Sequence, residues 1–317
     1  MNLLTLFILT IGLLLLRTNM LVRRVERAAP PTGCYQCVSG GQIHYVACGP
    51  EQAQPVILVH GLAGNLNHFT YAMTSLLAPQ FRVIALDRPG SGYSLRHVKT
   101  QTCLEDQAAM IWDFLDGIGV TKPLLVGHSL GGAIVLEMAL QRPDAPAALA
   151  LLSPATQPQP EVSKILQPFV LKPPWLLCAL VHIIISPAAR LLQQRIMQRA
   201  FAPEPVPNKF LINGGGILTW RPKAFISASS DLTGTRSDLK HLAARYGTDL
   251  RAPGAILFGE EDPILCPAHH GVPMENYGYA LSLLPKRGHM IPLTAPEACV
   301  AFIKDIAERS GLRGTVD

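Results

Sequence analysis

Charge is scarce in this sequence: Asp, Glu, Lys and Arg together make up 15% of its 317 residues, against 49% hydrophobic. That balance excludes a disordered chain, which buries too little apolar surface to fold, and it is slightly rich for a purely soluble protein. Some of the surface is therefore expected to meet lipid. The net charge is only +5, and much of it is Arg17, Arg23, Arg24 and Arg27, beside an N-terminal apolar stretch. Charge placed there points to anionic lipid headgroups and away from nucleic acid. Internal repeats and low-complexity tracts are absent.

Cysteine is sparse as well. Cys34, Cys37, Cys48, Cys103, Cys178, Cys266 and Cys299 are spread too widely for the dense framework of a small secreted scaffold, so free thiols are expected. Cys34 and Cys37 form a C-x-x-C near His44 and Cys48. No second C-x-x-C stands at a zinc-binding spacing, so neither a metal nor a cofactor is expected. A disulfide between Cys34 and Cys37, or between Cys37 and Cys48, stays open, because it depends on which side of a membrane the domain faces. No basic residue precedes the apolar run of residues 3–16 and no clear small-x-small site follows it, which disfavours a cleaved signal peptide. A retained membrane anchor is expected, with helix-compatible sequence continuing to Glu26. The run is short against the ~20 residues that span a bilayer, so Arg17 would snorkel to the interface. The positive charges after it would leave the folded domain cytoplasmic, although so short a run could also lie in one leaflet.

The rest of the chain is organised around residues 126–132, Val-Gly-His-Ser-Leu-Gly-Gly. Residues 123–126 have the length and branching of a buried strand, and residues 133–141 carry apolar side chains at helical spacing until Arg142-Pro143 stops them. The junction must be a sharp turn. Such a turn strains its central residue and brings neighbouring backbone so close that the positions two before and two after must be small. Gly127 and Gly131 meet that demand. The geometry would lift Ser129 above the sheet edge as a nucleophile and point the Leu130 amide, at the helix start, toward a reacting carbonyl. A glycine-rich turn with a helix-capping serine would use the same residues, so the partners decide.

Residues 34–39 and 42–47, joined by Gly40-Gly41, read as a hairpin. Apolar runs at 55–60, 81–87, 147–152, 254–258 and 280–284 read as further strands, and 67–78, 104–115 and 295–310 as helices. The alternation implies an α/β fold with a mainly parallel sheet covered on both faces. It breaks down between 153 and 251, where a helical cap or lid is expected. That segment contains an apolar stretch, 173–186, and an amphipathic helix, 187–201, with Arg190, Arg195 and Arg199 on its polar side; Gly214, Gly215 and Gly216 would let it move. The organisation is then an N-terminal anchor and juxtamembrane helix (1–28), a first part of the core (33–153), the cap and its connection (154–251) and a second part of the core (252–317).

Hydrolysis by serine needs a base for the hydroxyl proton, an acid to hold that base, and donors for the oxyanion. Asp262 directly follows the strand at 254–258, and His289 follows the last strand, so both reach the carboxyl edge where Ser129 sits. Leu62, in His60-Gly61-Leu62 after the first parallel strand, can supply a second oxyanion donor beside Leu130. The motifs H-G-L-A-G at 60–64, D-R-P-G-S-G-Y-S at 87–94, G-H-S-L-G-G at 127–132, G-E-E-D-P at 259–263 and G-H-M-I-P at 288–292 resemble those of the α/β-hydrolase fold superfamily. The likeness covers residues 33–310 and is to its capped lipase, esterase and monoacylglycerol-lipase-like branch. It implies Ser129 as nucleophile, Asp262 as acid and His289 as base in the order that family uses. It also implies ester hydrolysis on acyl lipids: monoacylglycerols, lysophospholipids or phospholipids. The anchored architecture is similar to that of bacterial membrane-bound phospholipases, which implies a bacterial inner membrane, with the side open. The same triad acting on small esters, thioesters or carbon–carbon bonds, and a non-catalytic membrane-anchored scaffold, are the alternatives; a homodimer is compatible with either.

Other residues weigh less. Epoxide hydrolases and haloalkane dehalogenases of this fold attack with Asp, whereas this chain has Ser129. Asp231 and Asp238 are reserve acids, Glu260 and Glu261 are read as solvated, and Asp87 as structural. His60 and His128 read as packed neighbours of the site, and His269-His270 as a surface pair.

Overall fold

The computed structural model describes residues 2–97, 102–159, 163, 165–170 and 174–312, apart from the side chains of 168, 174, 175, 187 and 189–193. A helix, α1 (Leu3–Ala28), opens the chain, and the hairpin β1 (Cys34–Val38) and β2 (Gly41–Cys48) follows. Next come β3 (Pro55–Val59), the short helices α2 (Asn67–Thr70) and α3 (Met73–Leu77), β4 (Arg82–Leu86) and the two-residue β5 (Leu95–Arg96). Then α4 (Leu104–Gly117), β6 (Leu124–His128), α5 (Leu130–Gln141) and β7 (Ala148–Leu152) complete the first half.

The described strands form one sheet in the order β1-β2-β4-β3-β6-β7, continued by β8 (Gly254–Gly259) and β9 (Ala280–Leu284), with β5 paired to β2. From β4 to β9 every pairing is parallel, and the hairpin adds antiparallel strands at one edge. The strands are nearly continuous apolar runs because both faces are covered. Ile57 and Val59 pack on one side, with α4 and α5, while Val56 and Leu58 pack on the other, with Phe69, Met73 and the closing helix (Pro296–Arg309). Chain order reverses between β3 and β6: β3 continues outward to β4, and the chain then crosses to β6 on its other side. In an open α/β sheet the crevice at the carboxyl ends of two such strands is where a ligand site forms.

Between β7 and β8 lie α6 (Pro174–Leu180), a π-helical turn (Val181–Ile185), α7 (Ser186–Phe201), α8 (Phe210–Asn213) and α9 (Pro222–Asp249). Arg195 and Arg199 of α7 are exposed; the side chain of Arg190 lies outside the described residues. The 28-residue α9 is the element that periodicity misses. Gly234 and a run of Ser, Thr and Asp lower its intrinsic helix propensity, and tertiary packing overrides that. Leu239, Leu242 and Tyr246 on its second half are buried with α5 in the main core.

Only part of α1 stands apart from the domain. Most of residues 3–16 are exposed, with a mean hydropathy of 1.9 over its most apolar 18 residues. The lower half is docked: the Thr18 hydroxyl donates to the His182 carbonyl at 2.5 Å, Glu26 pairs with Arg221 at 3.2 Å, and Val25 and Ala29 pack on Leu218. The helix is long enough to cross a bilayer by length and composition.

Cys34 and Cys37, three apart in an extended strand, present their thiols to opposite faces of β1, and the seven cysteines are free. His44, the nearby candidate ligand, is instead bonded through Nδ1 to Asp87 (2.7 Å) and through Nε2 to the Thr32 carbonyl (2.6 Å).

Candidate active site

Ser129 stands between β6 and α5 with φ 56° and ψ −122°, a backbone conformation that costs a non-glycine residue on the order of 1–3 kcal/mol. Its side chain makes no capping bond to α5, so the helix-capping reading of this serine fails. The turn is held by backbone. The Ser129 amide donates to the Leu152 carbonyl at 3.0 Å, and the Gly132 and Ala155 amides donate to the Ser129 carbonyl at 2.9 and 3.0 Å. A Cβ on Gly127 would stand 2.5 Å from the Gly131 carbonyl oxygen, and one on Gly131 would stand 2.1 Å from that of Val59. Gly132, which the elbow pattern does not demand, is as tightly placed, 2.5 Å from Pro154 Cβ. The loop after β3 leans on the same serine, since a Cβ on Gly61 would lie 2.8 Å from Ser129 Cβ.

Asp262 and His289 are brought together across 27 residues of sequence. Asp262 Oδ2 lies 2.7 Å from His289 Nδ1, and its Oδ1 accepts from the Ile264 and Leu265 amides at 2.8 and 2.9 Å. The Asp262 side chain is fully buried and that of His289 nearly so. With both Asp262 oxygens committed, the imidazole carries its proton on Nδ1 and leaves Nε2 as an acceptor. His289 is tied to the elbow through the residue before the serine: His128 Nε2–H donates to the His289 carbonyl at 3.0 Å, with ring centroids 4.9 Å apart.

A cavity of about 190 Å³ reaches Ser129. Ser129, Leu62 and Leu130 line it, together with Leu232, Thr235, Arg236 and Leu239 of α9 and with Ile264 and Leu265. The amide of Leu130, in the first turn of α5, is one of those that a helix leaves unpaired.

The remaining candidates are occupied elsewhere. Asp231 is fully buried between Arg88 and Arg96, at 2.9 Å from each, and Asp238 accepts the Leu104 amide at 3.1 Å. Asp87 holds the turn after β4, accepting from the Leu66 and Tyr93 amides and bonding His44. The pair His269-His270 is not a surface pair, because only His269 is exposed. His270 is fully buried, lines the cavity, and accepts the Thr156 and Gln157 amides on Nδ1 at 3.2 Å. No sequence signal separated it from its neighbour. Helix α9 brings Leu232, Thr235, Arg236 and Leu239 to the cavity, a contribution that sequence reasoning missed along with the helix itself.

Burial leaves several imidazoles neutral. It pushes His60 and His128 well below their usual range, with Arg88 adding to the effect at His60 and His289 at His128. Burial also lowers His68 to about 4 and His270 to about 3. An unfolded chain binds protons on these rings first, near pH 6.5. The stability they permit is therefore complete above about pH 6.5 and is lost progressively as the pH falls toward 4 and 3, at up to ~1.4 kcal/mol per pH unit and ring. Thermal melts should show a midpoint that falls steadily between pH 7 and pH 4.5. A flat midpoint over that window would contradict the buried neutral rings.

Comparison with known proteins agrees with this geometry. Residues 54–296 match the alpha/beta hydrolase fold family model. The chain is 29% identical over 267 residues to the dihydrolipoyllysine-residue acetyltransferase component of the acetoin cleaving system of Pseudomonas putida, covering 82% of this chain and 65% of that protein. It thus spans less than two thirds of that relative. Among solved structures, an alpha/beta hydrolase fold protein from Burkholderia ambifaria superposes with a TM-score of 0.72 at 22% identity, covering 86% of this chain and 97% of the other. A membrane phospholipase A described as a bacterial virulence factor superposes with a TM-score of 0.67 at 20% identity, covering 98% and 97%. With a family match across most of its length and ester hydrolases among its relatives, this chain belongs to the alpha/beta hydrolase family.

Proposed function

We propose that the chain is a membrane-anchored serine carboxylic ester hydrolase acting on acyl lipids through an acyl-Ser129 intermediate. His289 takes the Ser129 proton as Oγ attacks the ester carbonyl, and Asp262 holds the imidazolium that forms. The amides of Leu62 and Leu130 receive the charge on the carbonyl oxygen. Collapse expels the alcohol, which takes the proton from His289, and water repeats the sequence to release the acid.

The observation that carries this reading is the strained serine lining a mainly apolar cavity, together with two residues whose amides can face an oxyanion. The walls suit an acyl chain. Residues 154–251 then serve as a cap over Ser129. Arg236 makes no hydrogen bond or ion pair with the described residues, and a cation there suits a lipid phosphate. The exposed half of α1 would hold the domain against lipid, so that substrate enters without crossing water.

Volume favours a second reading. At about 190 Å³, the cavity is only slightly larger than the ~150 Å³ that accommodates benzene, so it seats roughly six to eight carbons. A short acyl ester of a soluble alcohol fits it directly, whereas a long chain must continue through the mouth. The test is hydrolysis of a panel from short p-nitrophenyl esters through long-chain monoacylglycerols to lysophospholipids and phospholipids. Cleavage of the long-chain lipids supports the first reading, and activity confined to short esters supports the second.

A variant lacking residues 2–16 separates anchoring from chemistry, because it keeps the docked Thr18, Val25, Glu26 and Ala29. Its rate on phospholipid vesicles is expected to fall at least about tenfold while soluble short esters stay within about twofold, since binding is concentrated at the bilayer by the removed helix. Equal loss on both substrates, or loss on neither, would count against a role for α1 in reaching lipid.

A further inference from the structure

Three donors converge on one carbonyl beside the cavity. The Gly61 oxygen accepts from the Gly64 amide at 3.2 Å, from His60 Nδ1–H at 2.8 Å and from Arg88 Nη2–H at 3.3 Å. The tautomer of His60 is dictated by its other nitrogen: Nε2 accepts the Arg88 amide at 3.0 Å, so the ring proton is on Nδ1. That carbonyl belongs to the same peptide group as the Leu62 N–H, and in a trans peptide the two point in opposite directions. Donors gathered on the oxygen therefore aim the N–H away from themselves. They also withdraw electron density from the amide, which makes its hydrogen a stronger donor.

Arg88 is the cation among the three. Its side chain is fully buried, and its Nη1 donates to Gln107 at 2.7 Å and to Asp231 at 2.9 Å. Asp231 stands on α9, the helix whose Leu232, Thr235 and Leu239 line the cavity. One helix thus both walls the pocket and holds the arginine behind the Gly61–Leu62 peptide.

We propose that Arg88 is a positioning residue for ester hydrolysis. It orients and polarises the Gly61–Leu62 peptide so that the Leu62 N–H meets the charge developing on the carbonyl oxygen, and Asp231 links that donor to the packing of α9. The inference rests on Ser129 being the nucleophile. Arg88 makes and breaks no bond; its effect is electrostatic and geometric, exerted through Leu62.

Arg88→Lys tests it, because lysine keeps a cation for Asp231 and Gln107 but has no second N–H arm to reach Gly61. The expected result is a fall in kcat of about tenfold with KM within about twofold, a fraction of what losing a whole oxyanion donor costs. The carbonyl stretch of a cinnamoyl-Ser129 intermediate should rise in frequency, since a weaker hydrogen bond leaves the C=O stiffer. A buried lysine can cost folding. The Arg88→Met variant, in which Asp231 keeps its ion pair with Arg96 at 2.9 Å, is therefore measured alongside it, with thermal melts to establish that each is folded. An unchanged carbonyl frequency in a folded variant overturns the inference, as does a loss that falls on KM alone. If the wild type forms no acyl-enzyme, it is the nucleophile assignment that has failed.

Discussion

Ser129→Ala lowers kcat/KM for carboxylic esters by a factor on the order of 10⁴ to 10⁶. Ser129 Oγ makes no capping bond, and the turn is held by the backbone atoms of Ser129, Gly132, Leu152 and Ala155. Alanine at this position keeps every one of those bonds. The thermal midpoint should therefore move by no more than a few degrees, while the atom that would form the acyl intermediate is gone. Rates measured with a single ester, together with labelling by a fluorophosphonate, decide the matter. A variant that still matches the wild type would place the nucleophile elsewhere, and a wild type that never labels would favour the anchored scaffold.

Asp262→Asn should cost about 10³ to 10⁴, mostly in kcat. Asparagine can keep its oxygen on the Ile264 and Leu265 amides, which leaves its NH₂ facing His289 Nδ1. Two donors cannot share that 2.7 Å contact. The imidazole must then move its proton to Nε2, the nitrogen that should receive the serine proton, and it can no longer act as a base. Glu260→Gln and Glu261→Gln provide the contrast, since neither carboxylate reaches His289 among the described contacts. Both should stay within about twofold of wild type. If a glutamate variant rather than Asp262→Asn shows the large loss, the acid has been assigned to the wrong member of the Glu260-Glu261-Asp262 run.

The strands were legible because each is buried on two faces and so reads as an unbroken apolar run; β3, β6 and β7 lie within a residue or two of their expected bounds. The elbow was legible for a different reason. At Gly127 and Gly131 backbone packs against backbone so closely that no other residue fits, and a steric requirement of that kind is written in residue type. Helix α9 was not legible, since Gly234 and its Ser, Thr and Asp content argue against a helix and only contact with α5 and Arg88 offsets them.

The sequence by itself determined the order of the core strands and of the helices that cover them, the apolar N-terminal helix, and the residue types needed at the elbow, because each depends on neighbours close along the chain. Tertiary structure decided the rest. Asp262 rather than Asp231 meets His289, His270 turns inward while His269 faces water, and Arg88 reaches the Gly61 carbonyl. Burial and hydrogen-bond partners belong to a place in the fold, and residues far apart in sequence share such a place only once the sheet has formed.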